Sequence, residues 1–301
     1  GVREKMYRHM RADIPSTDEG VELAAGETVV ILFRVYELSC SSIQQYFSKF
    51  TDIRKCFTQP SVFKNNVPFY HAFALIEQKY NLYNWECNHG FYRSSTSDTS
   101  TYGQWQTGWV GGGMNTYPCL IAGTHLSKTR SLKTLQFMFD IIQADSGLMY
   151  GIFCKGKPYG DAFDQVGDYN ILLLRKFTDA VYFVLKQFLV LDEMMEDIPK
   201  QWLDGIRHAL VVLQNIFEKN GQFGQFVNVQ TAEIMVRGTS SAATGIAALA
   251  LGSSYYGEKS FMDTAQKAGE YYFDHYVAKG ISNGGPGEIC QCPDSESIFG
   301  L

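Results

Sequence analysis

Along the chain, apolar positions change their period near residue 105. Before that point, Val29-Val30-Ile31-Leu32-Phe33-Arg34-Val35-Tyr36 is a β-branched and aromatic run after the Gly26-Glu27-Thr28 turn, and it predicts a strand. Ser41 to about Lys55 has apolar residues at helical spacing and predicts a short helix. Residues 66 to 104 predict strand or irregular structure, with a polar loop from Ser94 to Thr101. After Trp105 the pattern is helical and comes in pairs. Thr116 to Ser127 pairs with Ser131 to Ala144. Tyr169 to Met195, apolar almost all round, pairs with Lys200 to Lys219, which has one stripe. Thr239 to Tyr256, built of small residues, pairs with Lys259 to Val277, and Pro293-Asp294-Ser295-Glu296 opens another helix.

Each pair is a buried helix followed by an amphipathic one, repeating at a period of about 70 residues. Such hairpins curl into a ring. The fold class expected is therefore mostly α, an (α/α) toroid of helical hairpins that is incomplete. It occupies residues 105–301, after a smaller β-rich region at 1–104. The connections are asymmetric. Those inside a hairpin are short, as at Glu196 to Pro199 and Gly257-Glu258. Those between hairpins are long: Asp145 to Asp168, Asn220 to Gly238, and Lys279 to Pro293. All long loops then gather on one face, at the amino ends of the inner helices, where function is expected.

Candidate chemistry is read from those loops. Trp105-Gln106-Thr107-Gly108-Trp109 and the glycines after it put two flat rings beside a backbone that can approach a ligand closely. Trp105, Trp109 and Tyr159 are the stacking candidates, with packing between domains as the plain alternative. Asp161 and Asp164 lie in the second loop, and Asp168 sits where a helix cap belongs. Glu233 and Arg237 lie in the third, where an arginine suits a carboxylate or sugar hydroxyls and a surface ion pair is the alternative. Glu288, Asp294 and Glu296 fall within nine residues of the fourth. Asp294 and Glu296 also suit a helix start. Paired carboxylates about 5 to 10 Å apart are what glycoside hydrolysis needs, one giving a proton and the other acting as base or nucleophile.

Bulk properties narrow the field further. The chain has 301 residues, 45% hydrophobic and 14% aromatic, and its 26 basic and 31 acidic residues give a net charge of −5 without a basic stripe, so nucleic acid is not an expected partner. Gly111-Gly112-Gly113 lacks the Gly-Lys-Ser/Thr ending of a phosphate loop, and no Gly-x-Ser-x-Gly elbow occurs. Seven cysteines without a C-x-x-C pair give no zinc site of usual spacing, so no metal or cofactor is expected, and they suit a reducing, cytoplasmic compartment unless a signal peptide has been removed. There is no uncharged run of ~20 apolar residues, so no membrane span is expected. The chain opens without methionine and closes as a new apolar segment begins, which reads as a fragment.

The strand-like segment ending in Gly-Glu-Thr-Val-Val-Ile-Leu-Phe-Arg-Val-Tyr, then Gly-Trp-Val-Gly-Gly-Gly-Met, then helical hairpins together resemble the six-hairpin glycosidase superfamily. The resemblance is architectural. It implies a β-sandwich before an (α/α)6 barrel, an oligosaccharide or polysaccharide substrate, and acids in the long loops, here the Asp161 to Asp168 and Glu288 to Glu296 stretches. Only three hairpins and the start of a fourth are present. The expected activity is that of a glycoside hydrolase, with Glu288 or Glu296 as acid and Asp164 or Asp294 as base or nucleophile. A lyase or sugar epimerase on the same scaffold is the second enzymatic reading; an epimerase would want histidines facing the pore, which the loops do not offer. A non-catalytic glycan-binding protein is the third.

Overall fold

The computed structural model describes residues 4–7, 12–15, 20–58, 67–96, 104–108, 112–161, 170–284 and 295–301; for 4–7, 12–15 and 295–296 it describes the backbone alone. The chain divides into two compact units, residues 1–64 and 65–301.

In the first unit, β1 (Glu4–Tyr7) and β2 (Ala12–Pro15) form an antiparallel hairpin with Glu4 opposite Pro15. The expected helix is present as α1 (Ile43–Thr58). Its start follows from sequence. The Ser42 hydroxyl accepts from the Gln45 N–H at 3.1 Å, and the Gln45 side chain reaches back to the Ser41 N–H at 2.7 Å, a reciprocal cap for two donors. The expected strand over Val29–Tyr36 is not formed, and Leu32 is 90% exposed. A strand exists by pairing, and no described segment pairs with this one.

The second unit is two layers of helices. One layer holds the second helix of each hairpin. Ahead of them in the chain is α2 (Phe69–Lys79), which continues into a π turn at Tyr80–Asn84, where the sequence pattern had suggested strand or irregular chain. Then come α4 (His125–Phe137) with a π turn at Met138–Ile142, α6 (Lys200–Asn220), and α8 (Lys259–Tyr272) with a π turn at Phe273–Val277. The other layer holds α3 (Thr116–Ala122), α5 (Leu174–Glu193), α7 (Thr244–Tyr256) and α9 (Ser295–Gly300), each packed on the next: α3 on α5, α5 on α7, α7 on α9.

Composition explains the layering. In α5, Phe177, Val181, Val184, Leu185 and Phe188 are all fully buried, because neighbours cover the helix on several sides. In α6 one stripe, Trp202, Ile206, Leu210, Leu213 and Phe217, meets the core. Trp202 stacks on Phe139 with ring centres 5.8 Å apart, joining α6 to the π turn after α4. The small residues of α7 let helices close in: a methyl group added at Gly252 would lie 2.4 Å from a Leu210 methyl. α6 stops at Gly221, whose φ of 67° is left-handed and whose N–H donates to the Phe217 carbonyl at 2.7 Å.

The asymmetry of the connections holds. Two residues separate α3 from α4, and two separate α7 from α8. The long connections carry short strands that close each hairpin across its open end. β5 (Trp105–Gln106), ahead of α3, pairs with β6 (Ile152–Cys154), beyond α4, and β6 pairs with β7 (Lys157–Tyr159). β8 (Ile171–Leu173), ahead of α5, pairs with β9 (Phe226–Asn228), beyond α6, and β9 pairs with β10 (Ile234–Val236). Ahead of α7, Ser240 exchanges hydrogen bonds with Asn283, beyond α8: its N–H donates to the Asn283 side chain at 3.1 Å, and its hydroxyl accepts the Asn283 N–H at 3.0 Å. The same stitch thus occurs three times, and it is the clearest internal repeat in the molecule.

Candidate functional site on the loop face

The densest chemistry on the loop face lies at the first turns of α5. Arg175, Lys176 and Asp179 are 1%, 2% and 4% exposed, and Asp161 of the preceding loop is 2% exposed. Four charged side chains buried together are uncommon away from functional sites. Two of them form an ion pair. Lys176 Nζ donates to Asp161 Oδ1, and Asp161 Oδ2 accepts the Leu173 N–H at 2.9 Å. Asp161 is held from its backbone too, its N–H donating to the Ile171 carbonyl at 2.5 Å. The other two, Arg175 and Asp179, are one helical turn apart, with Nε 3.9 Å from Oδ2.

Two glycines make room for this cluster. A methyl group on Gly151 would sit 2.2 Å from Asp161 Oδ2, and one on Gly108 would sit 2.0 Å from the Lys176 carbonyl oxygen. Gly108 also has φ of +71°, which an L side chain tolerates poorly.

The residues singled out from sequence have different surroundings. Asp161 has both oxygens engaged, so its position ties the loop to α5 and turns neither oxygen toward a substrate. Trp105 is fully buried. Its ring sits among Phe91, Phe137 and Phe153, with Phe137 centred 4.9 Å away, and its Nε1 donates to Thr107 Oγ1 at 2.9 Å. Its faces are occupied by protein and leave no shelf for a sugar. Tyr159 is half-buried on β7, opposite Ile152. Glu233 is exposed, and Arg237 donates to Asn220 Oδ1 at 2.7 Å, beside the end of α6. Trp109, Asp164, Asp168, Glu288 and Asp294 lie outside the described residues, as does the side chain of Glu296 on α9. Among the described residues no two of the candidate acids are brought together. The histidines are described at 71, 89, 125, 208 and 275, none on α3, α5, α7 or α9.

Sequence reasoning passed over Arg175, Lys176 and Asp179. A signal was present: a helix apolar on every side has no solvent face, so charges in its first turns must be buried and partnered.

Two grooves lie elsewhere. One, about 450 Å³, runs between α3 and the later turns of α5, lined by Tyr117, Ile121, Lys186, Leu189, Glu193 and Met194. Lys186 is twelve residues past the start of α5, roughly 18 Å along the helix from the loop face. The other, about 400 Å³, lies beside Glu77 of α2 and Thr124. There a single Glu77 oxygen accepts from the Thr124 N–H at 2.6 Å, the Thr124 hydroxyl at 2.8 Å and the Ser127 hydroxyl at 2.5 Å. The carboxylate therefore caps the start of α4. Burial pushes the Glu77 carboxyl up, but the hydrogen bonds from Ser127 and Thr124 outweigh it and hold the group below its ordinary 4.5. Glu77→Ala is expected to cost about 1.5–3 kcal/mol at neutral pH, since it strands the buried Ser127 hydroxyl and uncaps the start of α4. Because the folded-state value is the lower one, this stabilisation is full above about pH 4.5 and is lost as pH falls through the folded value. Urea unfolding of both proteins across pH 3 to 7 checks it; a gap that does not narrow toward acid would refute the assignment.

No protein-family model matches the chain, and no curated protein matches it. Solved structures that match include a sugar epimerase from a ruminal bacterium, at 20% identity with a TM-score of 0.41, covering 53% of this chain and 39% of that one. They also include a D-mannose isomerase, at 11% identity with a TM-score of 0.44, covering 70% of this chain and 53% of that one. The chain thus spans about two-fifths and half of their lengths.

Proposed function

We propose that this chain belongs to a sugar-processing enzyme whose substrate lies on the loop face, over the amino end of α5, within a ring of helical hairpins. The observation that carries the reading is the buried cluster of Asp161, Arg175, Lys176 and Asp179 under the long loops. A fixed floor of charges lets loop groups above it be held for chemistry without reorganising. Arg175 and Asp179 are positioning residues in this account, since both are covered.

Two reactions suit such a floor. Glycoside hydrolysis needs two carboxylates with free oxygens, and Glu288, Asp294, Asp164 and Glu296 are the residues to supply them. Sugar isomerisation or epimerisation is the second reading. One observation favours it: Asp161 has both oxygens engaged and Asp179 faces a guanidinium, whereas this reaction needs no carboxylate pair.

The test is a panel of oligosaccharides scored for new reducing ends, and a panel of free aldoses in D2O scored by NMR for conversion with deuterium entering next to the carbonyl. Arg175→Lys is expected to lower kcat/KM by about 100-fold, mainly in kcat, because the planar guanidinium and its several donors are lost while the charge is kept. Turnover on neither panel by the full natural protein would end the enzymatic reading, and binding without turnover would leave a glycan-binding protein.

A further inference from the structure

The groove between α3 and α5 contains a cation held in an unusual way. The Lys186 ammonium lies 4.5 Å from the centre of the Tyr117 ring, 5.5 Å from Tyr182 and 5.7 Å from Phe183. The rings brace one another: Phe183 is 5.9 Å from Tyr117 and meets Tyr182 edge to face at 5.3 Å. Ring faces attract the ammonium but accept no conventional hydrogen bond from it. Among the described residues no carboxylate pairs with it. Its N–H donors are thus held beside about 450 Å³ of half-apolar space.

The far end of that space carries the opposite charge. Glu193 lies two helical turns beyond Lys186 on the same side of α5, roughly 10 Å along the axis. A second anion there would be repelled, whereas hydroxyl groups would donate to the carboxylate. Tyr117 lines the cation end, one ring face against the Lys186 ammonium, and Leu189 and Ile121, 39% and 43% exposed, offer apolar walls. The complement is a small molecule with one acidic group, a flat C–H face and hydroxyls away from the acid.

We propose that this groove binds a monosaccharide bearing one acidic group, the acid on Lys186, the ring on Tyr117 and the distal hydroxyls toward Glu193. The sugar body rests on the reading of the chain as sugar-processing; the anion end does not. The site is separate from the loop face, so it would act as a second, selective or regulatory, binding position.

The experiment is isothermal titration of the full chain with glucose 6-phosphate, glucuronate, glucose, inorganic phosphate and benzoate. Glucose 6-phosphate or glucuronate is expected to bind at least tenfold more tightly than glucose, and comparing the two tells a phosphate from a carboxylate. Lys186→Met is expected to weaken the acidic sugars at least tenfold, and Tyr117→Ala to weaken them while leaving inorganic phosphate unchanged. Arg175→Lys is expected to leave this binding as it is. Equal binding of glucose, indifference to Lys186→Met, or no binding by either acidic sugar overturns the proposal. Lys186-dependent binding of benzoate alone also overturns it, by removing the sugar from the ligand. Failure of the loop-face reading shows separately, as absent turnover on the sugar panels.

Discussion

Replacing Lys176 with methionine is expected to lower stability by about 3–5 kcal/mol, enough to threaten a domain whose total is about 5–15 kcal/mol. The side chain is 2% exposed and donates to Asp161, which is 2% exposed as well. Methionine fills much of the same space, so packing is nearly kept and the loss isolates the charge. What remains among the described residues is a carboxylate with one backbone donor, from Leu173, and without its lysine partner. The pair as a whole is worth far less than that loss, because desolvating both ions offsets most of their attraction. Adding Asp161→Asn to Lys176→Met is therefore expected to recover most of the stability. Urea unfolding of the three proteins decides it: a loss under about 1 kcal/mol in the single variant would mean that water or another cation serves Asp161.

Trp105→Ala is expected to cost a comparable amount, about 3–5 kcal/mol, for a different reason. Phe91 and Phe137 lie with ring centres 5.4 and 4.9 Å from the indole, and a methyl group on Gly112 would come within 2.0 Å of its Cη2. Removing the ring opens a cavity where β5, β4 (Phe91–Tyr92), α4 and β6 meet, and those elements cannot collapse into it without breaking the β5–β6 stitch. Trp105→Phe should be milder. Binding of any glycan, measured per folded molecule, should be the same in Trp105→Phe as in the natural protein. A tenfold loss of affinity at near-native stability would restore the stacking role that the sequence suggested.

Much of the hairpin region could be read from the pattern, because burial on one or all sides leaves a periodic trace. The stripe of α6, the small residues of α7 and the short turn at Gly257-Glu258 all made that trace. The region before Trp105 was harder. Phe69–Lys79 is a helix whose apolar residues stay largely exposed, Phe69 at 95% and Ile76 at 55%, so its pattern was not that of a buried face. Val29–Tyr36 had strand composition without a partner, and composition does not reveal pairing. The site was partly legible. Loop asymmetry pointed to the end of α5 where the buried charges lie, while the identity of those charges was hidden in the helix judged most apolar. Trp105 shows the limit: a tryptophan beside glycines reads equally as a shelf or as a core plug, and what separates them is whether Gly112 faces solvent or the ring.

The three stitches bear on how the molecule comes apart. In a simple stack of hairpins each unit touches its neighbours through helix faces alone, and an end unit can peel away while the rest stays folded. Here the segment ahead of α3 is joined to a strand 48 positions later, the segment ahead of α5 to one about 55 later, and Ser240 to Asn283. Each stitch begins and ends on one hairpin, so the two helices of a hairpin come away together, and neither can fray alone without first breaking its rung. Amide hydrogen exchange should show β5–β6 released together with the α3–α4 hairpin and β8–β9 together with α5–α6, as two cooperative units, with neither helix of a pair exchanging ahead of its stitch.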